Sequence, residues 1–312
     1  MAKSANTQVM HRQISLLDRL KAWWFGYELR IVPRTPPMPV VKEHDVRADT
    51  HKWEDLRIQL LQDVWGEGNS TPGDEEYIEE LIKPFGLDPS KTVLDIGSGL
   101  GGAGRTMSDK FGVWVTCMER EHAMVEAGME LSTMAGMAKK APVLTFDPEK
   151  FEFKPKSYDC IFSKESLYTI LNKEQFFKDT CRALKDGGQF LFTDFVAADE
   201  PDEKVLAAFK EGEQGSVQLW TKTDYEKGFT AGNVQSRIFE DMTDRYLAMV
   251  KSGWSDYLSA IKEKGSDKDM EEVLVSELEL WARRTHAMES GAVRLYRFLA
   301  IRQSQTQMMS DW

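Results

Sequence analysis

Residues Val93-Leu-Asp-Ile-Gly-Ser-Gly-Leu-Gly-Gly102 put an apolar strand, a carboxylate and four glycines into ten positions. A turn of this kind lets the backbone pass very close to a ligand at the carboxyl end of a strand. Gly97, Gly99 and Gly102 also satisfy the spacing G-x-G-x-x-G of dinucleotide-binding turns, so the glycines alone leave the cofactor open. Asp95 tilts the choice. A carboxylate two residues ahead of Gly97 would repel a pyrophosphate and attract the ammonium of S-adenosylmethionine (SAM). The sequence therefore points to a SAM site, with a nicotinamide or flavin dinucleotide as the rival ligand.

Other strand ends carry chemistry that suits the same cofactor. The backbone of Gly97, Ser98, Gly99 and Gly101 should face the methionine part of SAM, where the next helix offers its positive end. Glu119, about twenty residues past the glycines, ends the second strand and can accept hydrogen bonds from ribose hydroxyls. Arg120 follows it, along the adenine face or out in solvent. Asp147 and Pro148 follow the third strand; Asp147 can accept from the adenine amino group or simply form the turn before the proline. Ser163 and Lys164 end the fourth strand, where Lys164 meets either the cofactor carboxylate or water. Glu165 and Tyr168, just beyond, are the nearest groups for polar assistance to a reaction, although Tyr168 equally suits a core position above the sheet.

The elements that must hold these residues alternate. Strands are expected at 92–96, 113–118, 142–146, 158–162 and 189–195, with helices at about 101–111, 121–137 and 173–185 between them. Strands alternating with helices imply βαβ units and a mostly parallel sheet, so the fold class expected is α/β, Rossmann-like and doubly wound. Seven strands are expected in all, the last being Val293–Ile301, able to pair antiparallel at the edge of the sheet after a mainly helical stretch at 200–213, 222–230, 240–263 and 268–289. Ahead of this core, Ile14–Leu29 reads as an amphipathic helix and Pro33–Pro39 as an extended connector. Three regions result: 1–50, an extension that packs, acts as a lid or docks on a membrane surface through Trp23, Trp24 and Phe25; 51–200, the cofactor-binding core; and 201–312, the substrate side.

Composition trims the field. The chain has 312 residues, 41% hydrophobic and 29% charged, in the range of a globular protein with a core. A net charge of −11 argues against a nucleic-acid partner. Cys117, Cys160 and Cys181 are widely spaced and suit a reducing compartment, the cytoplasm. Neither they nor the five histidines show metal-ligand spacing, and no run of about 18 apolar residues could span a membrane.

Taken together, the Leu94–Gly102 turn, the acid at Glu119, the Asp147 loop, the Ser157–Ser163 strand and Leu184-Lys-Asp-Gly-Gly-Gln-Phe-Leu-Phe-Thr-Asp194 resemble class I SAM-dependent methyltransferases, most of all the phosphoethanolamine and glycine/sarcosine N-methyltransferases. The resemblance runs over about residues 60–200, with a fainter echo at Glu279-Leu-Trp281 and Tyr296–Arg302. It implies SAM as cofactor, S-adenosylhomocysteine (SAH) as product, and a substrate-side loop at Trp65-Gly-Glu-Gly-Asn-Ser-Thr-Pro-Gly73, with Trp65 and Asn69 facing the acceptor. It also implies a tyrosine–histidine pair that is missing: Asn69 stands at the tyrosine position and Thr169 at the histidine position. A phosphate-binding tyrosine has no counterpart near Gln214-Gly-Ser-Val217, which speaks against phosphoethanolamine itself as acceptor.

Methyl transfer from a sulfonium is an in-line displacement that needs mainly alignment and exclusion of water. A base-poor site suits a thioether or an amine already deprotonated. Trp220 and Tyr225, with Tyr246, Trp254 and Tyr257, either hold a cation by their ring faces or form simple core. Arg283, Arg284, Arg294 and Arg297 include candidates for an anion clamp. The reading reached is methyl transfer to nitrogen or sulfur of a small polar metabolite: an amino acid, an amine or a thioether. Its competitors are a lipid acceptor at a membrane surface, a dinucleotide oxidoreductase and a non-catalytic scaffold. The long helices at 240–289 offer a surface for self-association.

Overall fold

The computed structural model describes residues 45–213, 217–264 and 268–303. Two compact units divide the chain, Met1–His51 and Lys52–Trp312. Of the first, only residues 45–51 are described, so the helix expected at 14–29 and the connector at 33–39 lie outside the described residues.

Helix α1 (Asp45–Trp65) leads into α2 (Glu75–Ile82), which starts where the Asp74 carboxylate accepts from the Tyr77 amide at 2.9 Å. Then the alternation begins: β1 (Thr92–Ile96), α3 (Gly102–Phe111), β2 (Trp114–Glu119), α4 (His122–Met134), β3 (Val143–Thr145), β4 (Tyr158–Lys164), α5 (Lys173–Ala183) and β5 (Leu184–Ala197). The remainder is α6 (Glu203–Gly212), β6 (Trp220–Thr221), α7 (Lys222–Ala231), β7 (Val234–Asp241), α8 (Thr243–Lys264), α9 (Lys268–Glu289) and β8 (Val293–Arg302). Residues 93–96 of β1 are all buried, as a central parallel strand covered on both faces requires.

One sheet runs in the order β3-β2-β1-β4-β5-β8-β7, with β6 beside the end of β5. The first five strands pair in parallel; β8 pairs antiparallel with both β5 and β7. The Rossmann-like, mostly parallel architecture expected from the alternation is therefore present, with eight strands rather than seven. The strands for which no range was expected are the two-residue β6 and the edge strand β7. In β7, Gln235, Ser236 and Arg237 are all exposed, so no hydrophobic alternation marks it. The last strand is not the edge. β8 slots between β5 and β7, burying Leu295, Phe298 and Ala300.

The two faces of the sheet have different cores. On one, Phe190, Phe192 and Phe298 pack with Phe177 of α5 and with Tyr225 and Phe229 of α7. On the other, Phe195 meets Tyr246 of α8, and Trp65 of α1 lies 5.7 Å from Trp254 and 5.0 Å from Trp281 between ring centres. Among the described residues, no helix is long and apolar enough to cross a membrane.

Candidate active site

A cavity opens at the carboxyl ends of β1, β2 and β4, with α1 and α9 forming its far wall. At its floor the amides of Gly97 and Ser98 donate to the Met118 carbonyl at 2.8 and 3.0 Å, which pins the turn to β2. Gly97 has φ +66, and a Cβ there would collide with the Ser166 hydroxyl. Asp95 lines this floor, 1% exposed, and its Oδ2 has no hydrogen-bond partner. Burial, then the charge of Glu119, push its pKa up to about 7, with Lys164 opposing. Glu119 also lines the cavity; its carboxylate accepts from the amides of Gly99 (2.8 Å), Arg120 (2.7 Å) and Glu121 (3.0 Å). Burial still raises its pKa against those hydrogen bonds.

The loop after α1 forms one side. The Gly102 amide donates to Gly68 O at 3.0 Å, so this loop and the glycine turn touch backbone to backbone. Asn69, Ser70 and Thr71 line the cavity from the loop. The Thr71 hydroxyl donates to Glu165 Oε2 at 2.8 Å, and the Thr193 hydroxyl donates to Glu165 Oε1 at 2.7 Å. Lys164 donates to Thr71 Oγ1, to Pro72 O at 2.9 Å and to Glu165 Oε2 at 2.9 Å. Lys164 thus ties the loop to β4.

Deeper in, Tyr168 donates its hydroxyl proton to Glu213 Oε2 at 2.8 Å and accepts from Arg284 Nη2 at 3.0 Å. Arg284 holds Glu213 in a bidentate pair, both bonds 2.7 Å. Burial drives the Tyr168 pKa far up, so the phenol stays protonated. Burial works to raise Glu213 as well, but the charge and hydrogen bond of Arg284 outweigh it and hold the carboxyl below its ordinary value. Alongside, Arg57 Nε of α1 donates to Glu277 Oε1 of α9 at 2.5 Å.

The cavity therefore gathers Asp95, Gly97, Ser98, Gly99, Glu119, Arg120, Pro148, Lys164, Glu165, Tyr168 and Asn69, as well as Thr169. Arg120 is exposed, its Nη1 donating to Thr169 O at 3.3 Å. Six expected residues lie elsewhere. Gly101 caps α3 with φ +77, close to the Val143 side chain. Asp147 lines an adjoining recess with Arg120 and Pro148, and pairs with Lys150 at 2.7 Å. Ser163 is buried and donates to Ile96 O at 2.8 Å. Trp65 packs behind the wall on Trp254 and Trp281. Trp220 and Tyr225 sit on the opposite face of the sheet, where their rings cover Lys173 Nζ at 5.2 and 4.8 Å and Tyr225 donates to Asp194. Tyr225 is buried in the aromatic core and Trp220 packs, partly buried, against it.

Arg57, Thr71, Glu213 and Glu277 were not singled out from sequence, although all line the cavity. Only α9 carried a usable signal: Glu277, Trp281 and Arg284 recur at helical spacing and share the face turned to the site.

A parallel α/β sheet with a glycine turn over a buried carboxylate, and a second carboxylate at the end of the neighbouring strand, defines a Rossmann-like nucleotide-type cofactor fold. Residues 87–253 match the family described as methyltransferase domain, and the chain belongs to that family. It is 26% identical over 206 residues to phosphoethanolamine N-methyltransferase 3 of Arabidopsis thaliana, a match covering 65% of this chain and 41% of that protein. Against the sarcosine/dimethylglycine N-methyltransferase of Aphanothece halophytica it is 29% identical over 184 residues, covering 54% of this chain and 66% of that one. The matched stretch thus takes in less than two thirds of either relative. The fold resembles Haemonchus contortus phosphoethanolamine N-methyltransferase 2 in complex with S-adenosyl-L-methionine, with a TM-score of 0.70 at 21% identity, over 86% of this chain and 61% of that one.

Proposed function

We propose that this protein is a SAM-dependent methyltransferase acting on nitrogen of a small polar metabolite. The observation that carries the reading is Asp95: a buried carboxylate with an orphaned oxygen on the cavity floor, beneath a turn that only glycine fits. A buried charged oxygen calls for a donor, and the ammonium of SAM supplies one. Glu119, held by three backbone amides, keeps one lone pair, on Oε2, for a ribose hydroxyl, and Arg120, Phe146 and Pro148 border the adenine end. The residues present therefore fit the cofactor. When bound, SAM supplies a sulfonium methyl group.

The chain's own residues then align the acceptor and keep water out. Tyr168 stays a neutral phenol held between Glu213 and Arg284, so it fixes the shape of the acceptor wall. Glu165 lines the cavity with both oxygens already accepting from Thr71, Lys164 and Thr193, and keeps one spare lone pair, on Oε1, for an amine proton. The relatives' names favour nitrogen over sulfur. The three cysteines are unpaired and buried, in keeping with a reducing cytoplasm.

The test is calorimetry with SAM and SAH on the full chain, followed by labelled SAM offered to pooled metabolites and mass spectrometry of the labelled product. Binding of SAH with label appearing on an amine supports the reading. Folded protein that gives no heat with either compound overturns it.

A further inference from the structure

Resting on that reading, the charges around the cavity narrow the acceptor. Among the described residues its walls carry Asp95, Glu119, Glu121, Glu165, Glu213 and Glu277. The basic groups facing them are Arg57, Arg120, Lys164 and Arg284. Three of these four are committed to carboxylates. Arg57 Nε lies 2.5 Å from Glu277 Oε1 and its Nη1 3.6 Å from Glu121, Lys164 is 2.9 Å from Glu165, and Arg284 is 2.7 Å from Glu213. Arg120 borders the recess shared with Asp147 and Pro148, at the adenine end. A phosphate or carboxylate entering on the acceptor side would have to compete with Glu277 for Arg57 or with Glu213 for Arg284, weakening a pair whose carboxylate is buried.

A cation meets the opposite situation. Glu277 is 2% exposed and its Oε2 accepts no hydrogen bond. Among the described residues, Asp95 Oδ2 is the other buried carboxylate oxygen left in that state. Two carboxylates that each keep an orphaned oxygen thus line one cavity, and two ammonium groups, that of SAM and that of an acceptor, would answer them. We propose that Glu277 recognises the acceptor's ammonium, which must pass a proton to Glu165 before its nitrogen can take the methyl group, and that the acceptor is an aliphatic amine bearing neither phosphate nor carboxylate. Such an acceptor differs in class from phosphoethanolamine, sarcosine and dimethylglycine, each of which carries an acidic group.

Matched amine pairs test this on the full chain saturated with SAH. N,N-dimethylethanolamine differs from dimethylglycine in having an alcohol for a carboxylate, and ethanolamine differs from phosphoethanolamine in lacking the phosphate. Calorimetry should show the acid-free member of each pair binding about a hundredfold tighter, the loss expected when a buried charge pair must be broken. Equal affinities, a reversed order or no heat from any of the four amines overturns the inference. Glu277→Gln removes the carboxylate that carries the orphaned oxygen and releases Arg57. The preference for the acid-free amines should then fall at least about tenfold while SAH affinity holds. An unchanged preference in a folded, SAH-binding variant removes Glu277 from this role, and if that variant fails to fold the wild-type pairs still decide. Failure of SAH itself to bind would instead undo the SAM reading, so the two failures are separable.

Discussion

Asp95→Asn should make the empty protein more stable at alkaline pH while weakening its hold on the cofactor. Asp95 has its pKa raised from the ordinary 3.8 to about 7, first by burial and then by Glu119. For an acid raised in the folded state, folding takes up a proton between those values, so stability falls as pH rises from about 4 to about 7. About three pH units at about 1.4 kcal/mol each puts this loss at about 4 kcal/mol. Asparagine escapes it but buries an amide N–H₂ that costs about 1–3 kcal/mol when unpartnered. The variant should therefore gain about 1–3 kcal/mol over the wild type at pH 8, and the gain should vanish near pH 5. SAM binding moves the other way. The wild-type carboxylate is about one-tenth ionised at pH 6 and about nine-tenths at pH 8, so SAH affinity should climb about tenfold between them. In Asp95→Asn the profile should be flat and the affinity about 10–100-fold lower at pH 8. Thermal unfolding from pH 5 to 8 with and without SAH, paired with calorimetry, reads both effects. A variant less stable than the wild type at pH 8, or one binding SAH as tightly, would refute the electrostatic role given to this carboxylate.

Glu213→Ala should strand Arg284 without its buried partner and cost about 3–5 kcal/mol, read as a drop in melting temperature of about 10 °C. Because the Glu213 carboxyl lies below its ordinary range, the pair's contribution is present above the unfolded glutamate pKa and fades as pH falls through the lower folded value, so acid unfolding should begin later in wild type than in Glu213→Ala. Glu119→Ala leaves the Gly99, Arg120 and Glu121 amides without their acceptor, and SAH affinity should fall at least tenfold, about 1.4 kcal/mol, in calorimetry. Gly102→Ala puts a Cβ 2.5 Å from the backbone carbonyl of Gly68, so unfolding in urea should show a loss of about 1–3 kcal/mol and SAH should bind more weakly.

The parallel half of the fold was legible because its signals are local. The run into the glycine turn, the acid at Glu119 and the alternation of apolar strands with helices each follow from a few neighbouring residues. The C-terminal half was less so. β7 is an edge strand whose exposed Gln235, Ser236 and Arg237 carry no alternation, and β8 reaches the sheet interior only because β7 covers it. In the site, strand-end residues were found by position. Trp220 and Tyr225 misled because aromatic residues suit a cation site and a core equally, and their sheet face is fixed for Trp220 by β6 pairing with β5 and for Tyr225 by α7 packing on Phe192 and Phe298. The ion pairs of Glu213 and Glu277 were invisible because a carboxylate's partner is a long-range fact: Arg284 is 71 residues from Glu213, and Arg57 is 220 from Glu277.

The end of β5 explains why both groups beyond β4 hold their positions. Consecutive strand residues point to opposite faces. Thr193 uses the site face, donating its hydroxyl to Glu165 Oε1 while its carbonyl accepts the Glu165 amide at 2.9 Å. Glu165 needs that double hold, since it sits at φ +46, a backbone region costly for any residue but glycine. Asp194 uses the far face. Its Oδ1 accepts the Tyr168 amide at 3.1 Å, and its Oδ2 takes Lys173 at 2.9 Å and the Tyr225 hydroxyl. One strand end thus fixes Glu165 from its side chain and Tyr168 from its backbone, and Tyr225 acts on the acceptor wall from the opposite side of the sheet. Loss of that hydroxyl in Tyr225→Phe leaves Asp194 Oδ2 to Lys173 alone. The turn carrying Tyr168 should loosen, and acceptor turnover should fall with SAH affinity unchanged, an effect that a residue touching the acceptor directly would instead show in acceptor KM.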